Sequence, residues 1–588
     1  MPATMHTGLA SAPAELKVGL LEHLLGLGEL QRIHARARTM PGATALDRLL
    51  AAMDARWQLQ PEPGAAIPPT GPLIVAANHP CGLIDGMVLG AAIAATRPDV
   101  KLIGNRALAR IPGLDGLIIH ADLADHDDAR RGNSGPLRAV LRHLRGGGAL
   151  SIFPAGEGSR WRPRYRRVHD RPWHAHVARL ARLADAPVVP AFLEGGTSAL
   201  YHAIGWMHPA VRMALLPREL LRARGTTTAI HVGAAVPPAA LAALGEPQAG
   251  AWLLQARSDA LRPVRATAAT HAPLPPVVAP QPAAPLCAEV DALPADAELV
   301  RLGRYRVLLT RREQSPGLVQ ETGRLRELTF RAAGEGTGAA VDLDTFDDHY
   351  WHLLLWDDEA REIAGGYRLA VTDGNPTPDA ARRLYTHTLF RYDERFLRRL
   401  GPAVELGRSF VAPAHQKGFS PLLLLWQGIG RFVLRHPHCR KLFGPVSIAG
   451  DYRELSRRAL VEHLLRGYGD RALAGLIAGR VPPHFGPALP HERGLIAAAA
   501  DHLDRVEFLV RAAEGGRGVP VLVRQYLKLS AKAVAVNVDR RFSSAIDVMI
   551  VVDLAEVPLP TLSRYLGPDG AAQFLARHHA ADDDVVDT

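Results

Sequence analysis

The stretch that decides the fold reads LIVAANHPCGLIDGMVLG, residues 73–90. Its apolar start, Leu73–Ala77, predicts a short buried strand, and the apolar residues after Asp85 predict a helix. His79 directly follows the strand, and Asp85 comes a turn or so later. An imidazole can take the proton of a hydroxyl while a carboxylate fixes its tautomer and stabilises the imidazolium that forms. The stretch therefore suits base catalysis by His79, although its spacing alone favours a structural turn with a capping His or Asp.

A second strand runs into a glycine-rich turn about seventy residues later, in SIFPAGEGSR, residues 151–160. Small residues let a ligand approach the backbone, and the Arg160 guanidinium can bind a phosphate or carboxylate with two parallel hydrogen bonds. A third apolar strand, VVPAFLEG, residues 188–195, again ends at glycine. Each of the three apolar strands is thus followed by a glycine-containing turn.

In this order the three motifs resemble the glycerolipid acyltransferases of the lysophosphatidic-acid type, over roughly residues 61–235. The resemblance implies that His79 is the general base on an acceptor hydroxyl and that Asp85 orients it. The residues that it implies for acceptor binding are Asn78, Glu157, Ser159 and Arg160. Two features depart from the family: five residues instead of four separate His79 from Asp85, and Ala155 replaces the acidic residue of the second motif. We therefore expect an acceptor other than glycerol phosphate.

The second half carries another series of motifs. It comprises Arg326 with Phe330, Asp344 with Asp347, Arg368, and Glu405 with Arg408. In this order they resemble the N-acyltransferases related to acyl-homoserine lactone synthases, within the GNAT-type fold, over about residues 301–450. The resemblance implies that Glu405 helps to deprotonate an amine, directly or through water, and that the other residues of the series form the substrate site. The alternative for each arginine is a structural ion pair with one of the two aspartates.

The acyl donor of the second half is predicted from the segment between a strand and a helix, residues 415–420. This fold binds pyrophosphate there with backbone amides at a helix N-terminus. Only the central glycine of the usual pattern, Gly418, is present. An acyl carrier protein, with its phosphopantetheine near Gly418, is therefore favoured over acetyl-CoA. Residues from about 519 to 553 further resemble the C-terminal region of the hemolysin-like ornithine-lipid N-acyltransferases.

Length and patterning predict an α/β protein with two or more domains, because 588 residues are too many for one core. The two resemblances imply that two of these domains are acyltransferases. The expected segments are an amphipathic helical segment (1–60), an O-acyltransferase domain (61–262), a Pro/Ala-rich linker (263–296), an N-acyltransferase domain (297–575) and a disordered tail (576–588). Within the first segment, two helices are predicted from about residue 18 to 38 and from about 45 to 59. They either pack on the next domain, lie on anionic lipid, or do both.

Charge and cysteine content indicate which partners and which cellular compartment to expect for the chain. The net charge of +10 favours an anionic partner, either a membrane surface, an acidic carrier protein or nucleic acid. Five arginines follow the second motif and alternate with aromatic residues. This pattern is typical either of a patch that lies at the interface of an anionic membrane or of a solvated basic loop. Nucleic acid is disfavoured because no recognition module accompanies the charge. Three scattered cysteines and the lack of a signal peptide or apolar span predict a cytoplasmic location, peripheral on the inner face of the membrane.

Together the two resemblances imply a bacterial bifunctional enzyme of the ornithine lipid synthase type. The second domain would N-acylate an amino acid such as ornithine with a 3-hydroxyacyl chain from acyl carrier protein, and the first would esterify the new hydroxyl. Acyl carrier protein or acyl-CoA would be co-substrate, with no cofactor and no metal. Glycine, lysine or glutamine would need only local changes of the pocket. The alternative is a lysophospholipid acyltransferase whose second domain makes another product, or is silent and docks a membrane or carrier.

Overall fold

The chain folds into two compact α/β units in a computed structural model that describes residues 27–104, 116–120, 134–198, 201, 215–263, 274–418 and 420–586. The first unit comprises the described residues up to 266 together with Pro487–Ala499, and the second comprises the described residues of 267–486 and 500–588. The predicted α/β class with two sheet-containing domains is confirmed. Among the described residues, no helix is both long and apolar enough to cross a membrane.

The first unit is built on a seven-stranded, mostly parallel sheet in the order β1-β9-β8-β2-β5-β3-β4. Its strands and those of a separate hairpin, β6–β7, are β1 (Arg56–Pro61), β2 (Leu73–Ala77), β3 (Lys101–Gly104), β4 (Ile118–His120), β5 (Ala149–Ile152), β6 (Arg160–Arg162), β7 (Arg167–His169), β8 (Val188–Leu193) and β9 (Thr227–Val232). Only the β8–β9 pair of the sheet is antiparallel. All five residues of β2 are buried, as expected for a central strand covered on both faces.

Helices cover this sheet. They are α1 (Leu27–Ala37), α2 (Ala45–Met53), α3 (Leu83–Ala94), α4 (Ser134–Arg145), α5 (His176–Ala184), α6 (Leu216–Arg222), α7 (Pro238–Ala242), α8 (Pro247–Ala260) and, by its place in the chain, α17 (Pro490–Ala499). Helix α3 carries the apolar residues that follow Asp85 and is buried along most of its length. Because β2 is parallel to both β5 and β8, the turns that follow these three strands lie at one edge of the sheet.

The N-terminal helices differ in extent from the prediction. Residues 18–26 of the first predicted helix lie outside the described residues, and Ile33 and Leu46 of α1 and α2 are buried in the core of the unit. The second helix ends at Met53, because Asp54 adopts a left-handed conformation with φ +49°. Residues 56–61 form the edge strand β1 instead, in which apolar and polar side chains alternate as the two faces of a strand require.

The second unit is built on an eight-stranded sheet in the order β10-β11-β12-β13-β15-β16-β19-β18. Its strands and those of a small two-stranded sheet, β14–β17, are β10 (Glu298–Leu302), β11 (Tyr305–Thr310), β12 (Trp351–Asp357), β13 (Glu362–Thr372), β14 (Phe390–Tyr392), β15 (Ala403–Val411), β16 (Lys441–Ile448), β17 (Ile477–Gly479), β18 (Lys532–Asp539) and β19 (Ala545–Asp553). Neighbours in the large sheet are antiparallel except β15 and β16, which run parallel over Ala403–Glu405.

The helices of the second unit pack on its sheet and on one another. They are α9 (Ala283–Ala292), α10 (Pro316–Ala332), α11 (Pro378–Arg382), α12 (Thr386–Leu389), α13 (Glu394–Leu400), α14 (Ser420–Arg435), α15 (Glu454–Gly467), α16 (Arg471–Ala474), α18 (Leu503–Ala513), α19 (Val521–Lys528), α20 (Leu559–Leu566) and α21 (Pro568–Val586). Strand β19 contains a long apolar run, and eight of its nine residues are buried.

Three segments depart from the predicted boundaries. The linker predicted for 263–296 is not extended throughout, because α9 buries Leu286 and Val290 and its Glu289 accepts hydrogen bonds from the first amides of α10. The tail predicted to be disordered is helical up to Val586, since an alanine-rich run prolongs α21. The predicted second domain is also interrupted, because residues 487–499 belong to the first unit.

Candidate active sites

The structure brings His79 and Asp85 together in the first unit. Nδ1 of His79 lies 2.9 Å from Oδ2 of Asp85, which is fully buried at the start of α3. A carboxylate only accepts, so the hydrogen lies on Nδ1 and the lone pair on Nε2. The His79 side chain is 21% exposed and its ring stacks on Phe153, with ring centroids 4.2 Å apart. The imidazole is thus held in the tautomer that a base on an external hydroxyl requires.

The additional residue between His79 and Asp85 does not separate their side chains. Gly82 directly before α3 adopts φ +78°, a conformation that suits glycine. The turn thereby directs the backbone N–H groups of Cys81 and Gly82 at the same Oδ2 of Asp85, at 2.8 and 2.9 Å. The carboxylate therefore both caps the helix and orients the histidine. The structural and the functional interpretation of this turn are compatible.

Two of the four predicted acceptor-binding residues have internal partners. The Asn78 side chain donates to the backbone carbonyl of Leu193 and accepts from its N–H, at 3.0 and 2.7 Å, so it ties the ends of β2 and β8 together. The Ser159 hydroxyl donates to Asp170, and its N–H donates to the carbonyl of His79 at 2.7 Å. Both residues are buried. Their polar groups are engaged within the protein and support the His79 turn, while acceptor binding by these two residues stays a prediction.

The other two predicted residues pair with each other at the surface of the site. The Arg160 guanidinium donates to Glu157, which also lies 3.2 Å from Nε of Arg171. The Arg160 side chain is 41% exposed, so an anionic ligand has access to it. An anion would compete with Glu157 for the guanidinium. Of the predicted set, this pair alone retains a geometry for acceptor binding.

Asp170 is a residue of this site that the motifs did not reveal. Its carboxylate accepts hydrogen bonds from Ser159, from the backbone N–H of His79 at 3.3 Å and from Nε1 of Trp173 at 3.1 Å. Burial raises the pKa of this carboxyl, although Ser159 and Trp173 stabilise its charged form. Asp170 thus fixes the position of the His79 backbone. Trp173, expected among the aromatic residues of the interfacial patch, is in fact buried in the core.

The thiol of Cys81 is not arranged as a nucleophile. Burial and the nearby Asp85 carboxylate raise its pKa far above the usual range, which disfavours the reactive thiolate. Gly195 follows β8 at φ +138°, and a Cβ there would lie 2.6 Å from Sγ of Cys81. The two turns therefore touch at this point, which explains the glycine at the end of the third motif.

In the second unit, the predicted arginines and aspartates form one buried cluster. Nη1 of Arg326 donates to Asp347 at 2.7 Å, and Nη1 of Arg368 lies 2.6 Å from Asp344 and 3.2 Å from Asp347. Burial opposes ionisation of Asp347, but the two guanidinium groups hold the pKa of this carboxyl below its usual range. The alternative of structural ion pairs therefore holds for both arginines, whose side chains have no exposed surface.

Arg408 reaches the cluster through a β-bulge. Strand β15 has one residue more than β13 between the paired positions Phe410 and Gly407, and Arg408 there adopts φ +51°. Its Nε lies 3.1 Å from Asp342, a residue that the motifs did not reveal. Its guanidinium also faces the ring of Tyr385 at 4.9 Å. Unlike the other two arginines, Arg408 is 12% exposed and neighbours the 30% exposed Asp344.

Glu405 is buried in a hydrogen-bonded pocket of its own. It accepts from the Tyr350 hydroxyl and from the backbone N–H groups of Thr386, at 2.7 Å, and Tyr385, at 3.2 Å. Burial raises the pKa of the Glu405 carboxyl, although these donors stabilise its charged form. A raised pKa suits a base that acts near neutral pH. With 1% exposure, Glu405 reaches an amine only through a relay, and the Tyr350 hydroxyl is in contact with it.

The remaining predicted residues lie at the borders of this cluster. Phe330 is buried against Phe542, with ring centroids 5.0 Å apart, and thus packs the core. Gly418 lies just before α14, and a Cβ there would meet only Pro421 at 3.8 Å, so the turn leaves space for a ligand. His352, also missed by the motifs, is buried beside Arg326, and burial with this cation lowers its pKa to about 4. It is therefore neutral near pH 7.

Comparison with protein families assigns the two units. Residues 63–194 match the Acyltransferase family, and residues 325–427 match the family described as Acetyltransferase (GNAT) domain. The first match contains His79, Asp85 and the glycine-rich turn, and the second contains the Arg–Asp cluster and Glu405. The chain thus carries an acyltransferase domain followed by a GNAT-type domain.

Two relatives are named glycine N(alpha)-acyltransferase, one from Phocaeicola vulgatus and one from Bacteroides thetaiotaomicron. Each is 37% identical over 170 residues, which is 27% of this chain and 52% and 50% of the respective relative. The chain thus spans about half the length of these relatives. A similarity to the crystal structure of the 1-acyl-sn-glycerophosphate (LPA) acyltransferase PlsC from Thermotoga maritima covers 40% of this chain and 78% of that one. At a TM-score of 0.24 and 15% identity it carries no argument.

Proposed function

We propose that the chain is a bifunctional acyltransferase that makes an amino-acid-containing membrane lipid. The GNAT-type domain transfers a 3-hydroxyacyl group from acyl carrier protein to the α-amine of an amino acid. The acyltransferase domain then esterifies the 3-hydroxyl of that product with a second acyl chain. The observation that carries the proposal is the presence in one chain of the oriented His79–Asp85 pair, suited to a hydroxyl, and of a second acyl-transfer domain of the GNAT type.

In the first domain, His79 acts on the acceptor hydroxyl. Nε2 takes the hydroxyl proton as the oxygen attacks the thioester carbonyl of the acyl donor, and Asp85 stabilises the imidazolium. The new C–O bond forms and the C–S bond of the thioester breaks. The sulfur takes the proton from the His79 imidazolium and leaves as a thiol. Cys81 takes no part, because its pKa disfavours the thiolate.

In the second domain, an amine attacks the thioester carbonyl of the 3-hydroxyacyl donor. A C–N bond forms and the C–S bond of the thioester breaks. The amine loses a proton to Glu405 through water, and the sulfur of the carrier leaves as a thiolate that then takes up a proton. Arg408 is the cation placed to bind the carboxylate of the amino acid, because it is the one arginine of the three-arginine cluster whose side chain has exposed surface. The phosphopantetheine arm of the carrier would pass near Gly418, at the start of α14.

Two lines of support point to different amino acids as the substrate of the GNAT-type domain. The resemblance of the motifs favours ornithine, whereas the name of both relatives, glycine N(alpha)-acyltransferase, favours glycine. Both donate an α-amine beside a carboxylate, so the chemistry at Glu405 and Arg408 is the same for either. The product of the first reaction is amphiphilic and stays at the membrane, and the covalent link between the domains raises its effective concentration at the second.

The proposed membrane contact is the hairpin β6–β7 and its arginine-rich turn. Trp161 is 48% exposed there, and Arg164 and Arg166 are exposed beside it. An exposed indole among guanidinium groups suits the interface of an anionic membrane. This surface supports a peripheral location on the cytoplasmic face of the membrane.

Expression in a bacterium that lacks amino-acid lipids tests the proposal. Mass spectrometry of its lipids should detect a diacylated amino acid with the wild-type chain and the mono-acylated amino acid with His79→Ala. Glu405→Ala should produce neither lipid, with Glu405→Gln as the variant that keeps the buried volume. Diacylated product from His79→Ala would refute the base assignment. New glycerophospholipids without any amino-acid lipid would favour the lysophospholipid acyltransferase instead.

A further inference from the structure

A cluster of two histidines and one aspartate lies in the first unit beside the site already described. His169 ends β7, Asp259 is near the end of α8, and His491 is on α17, so the three residues are distant in sequence. Oδ2 of Asp259 lies 2.8 Å from Nε2 of His169 and 3.3 Å from Nε2 of His491. One nitrogen or oxygen atom from each residue lies within 4.8 Å of the others.

The hydrogen bonds of His169 determine which nitrogen is available. Its Nδ1 lies 2.7 Å from the backbone carbonyl of Asp170, an acceptor, so Nδ1 carries a hydrogen. The lone pair of the neutral ring is then on Nε2, facing the Asp259 carboxylate. This arrangement is repulsive unless a cation, either a proton or a metal ion, lies between the two groups. In protein metal sites, a ligating histidine usually donates its other ring N–H to a carbonyl or carboxylate, as His169 does here.

His491 distinguishes a metal ion from a proton. Its side chain is 1% exposed, and within the described part of the chain neither of its ring nitrogens has a hydrogen-bond partner of ordinary geometry. A proton shared by His169 and Asp259 would leave the ring of His491 unsatisfied, at a cost of about 1–3 kcal/mol. A metal ion would use all three groups. Two ligands of a tetrahedral zinc ion lie about 3.3 Å apart. The separation of His491 from Asp259 equals this value, whereas that of His169 from Asp259, 2.8 Å, would widen by about 0.5 Å on binding.

We propose that His169, Asp259 and His491 bind one divalent transition-metal ion, and that this ion fastens residues 487–499 to the rest of the first unit. Two imidazoles and one carboxylate suit zinc and its neighbours in the first transition row, whereas magnesium and calcium prefer oxygen ligands alone. A cavity of about 40 Å³ lined by His169 and Asp259 gives a fourth ligand, such as water, access to the ion. No metal is predicted from the sequence, and these three residues share no local motif.

The packing of α17 supports the proposal that the ion fastens residues 487–499 to the rest of the first unit. Gly494 lies against the indole of Trp252 on α8, and a Cβ there would lie 2.3 Å from its ring. The helix thus approaches α8 closely along the face that also bears His491. Asp170 directly follows His169 in sequence, and its carboxylate accepts a hydrogen bond from the backbone N–H of His79 in the first site. The ion therefore stabilises the surroundings of the first site without contact with reacting groups.

The test uses the full-length chain without a polyhistidine tag, stripped with a chelator and titrated with Zn²⁺ against a chromophoric chelator. We expect one bound equivalent in the wild type, and affinity at least about tenfold lower in His491→Ala and Asp259→Asn, because each loses one of three ligands. His231→Ala is the matched control, since it removes a histidine that pairs with one carboxylate, Glu194, at 2.6 Å. It should bind zinc like the wild type.

Two further readouts do not depend on the stability of variants. Wild-type chain loaded with Co²⁺ should show the visible absorption of tetrahedral cobalt, and zinc should slow proteolysis within residues 487–499. No zinc bound by the wild type, or wild-type affinity in both His491→Ala and Asp259→Asn, would overturn the proposal. The cluster would then be a carboxylate with a protonated histidine. Neither result depends on which acyl transfer the chain performs.

Discussion

Replacing Asp85 by asparagine tests the mechanism of the first domain. Oδ2 of Asp85 accepts three hydrogen bonds, one from Nδ1 of His79 and two from backbone N–H groups at 2.8 and 2.9 Å. An asparagine oxygen can still accept from the two amides, so the turn and the start of the helix should persist. The charge that stabilises the imidazolium is lost.

The expected loss follows from the strength of one charge-assisted hydrogen bond. Such a bond contributes about 1.5–3 kcal/mol. Since 1.36 kcal/mol corresponds to a tenfold change in rate, kcat for O-acylation should fall about 10- to 200-fold. KM should change less than about twofold, because Asp85 is fully buried and has no contact with the acceptor.

The assay is the initial rate of O-acylation by purified chain, with Asp54→Asn as control. Asp54 is an exposed aspartate of the same unit that pairs with Arg56, so its variant should retain the wild-type rate. A double variant separates orientation from folding: His79→Ala with Asp85→Asn should be no slower than His79→Ala alone, because Asp85 acts through His79. A rate for Asp85→Asn within about twofold of the wild type would refute the reasoning and leave Asp85 as a helix cap only.

Three further predictions concern hydrogen bonds and titration. Asn78→Ala should lower the free energy of unfolding of the first unit by about 2–4 kcal/mol, measured by urea denaturation, because two buried backbone groups of β8 lose their partner; an effect below about 0.5 kcal/mol would contradict this. The rate of N-acylation should rise with pH through the raised pKa of Glu405, and Tyr350→Phe should move this limb to higher pH, since the lost hydrogen bond stabilised the carboxylate; an unmoved limb would exclude Glu405 as the base. The pKa of Asp347 is lowered in the folded state, so this carboxylate stabilises the fold at neutral pH and loses the effect as the pH falls below about 4. In thermal melts, the stability difference between the wild type and Asp347→Asn should therefore narrow below that pH. A difference that stays constant with pH would contradict the ion-pair assignment.

Local patterns were sufficient for most of the elements that carry the two sites. Leu73–Ala77 forms a strand with the predicted bounds, because a continuous apolar run bounded by turn residues has few other structures open to it. The proximity of His79 and Asp85 also followed from sequence, since both residues lie in one turn. Edge strand β1 was missed because Trp57 continues the helical spacing of Leu50 and Met53 and so appeared to prolong the preceding helix.

Contacts between distant segments could not be predicted in the same way. Asp170, Asp342 and Tyr350 contribute to the sites only because separate loops and strands meet there, and none belongs to a motif. The positions of Asn78 and Ser159 in the motif were correct, but the partners of their side chains are set by tertiary packing. His491 is the extreme case, because its segment leaves one unit of the chain to join the other.

The most direct test of the account supplies purified N-(3-hydroxyacyl) amino acid and an acyl donor to the Glu405→Gln chain. The account predicts conversion to the diacylated amino acid at the wild-type rate, because the first domain needs only the 3-hydroxyl and His79. The matched substrate without the 3-hydroxyl should not react, and His79→Ala should convert neither. Acylation of a lysophospholipid but not of the N-(3-hydroxyacyl) amino acid would contradict the central claim.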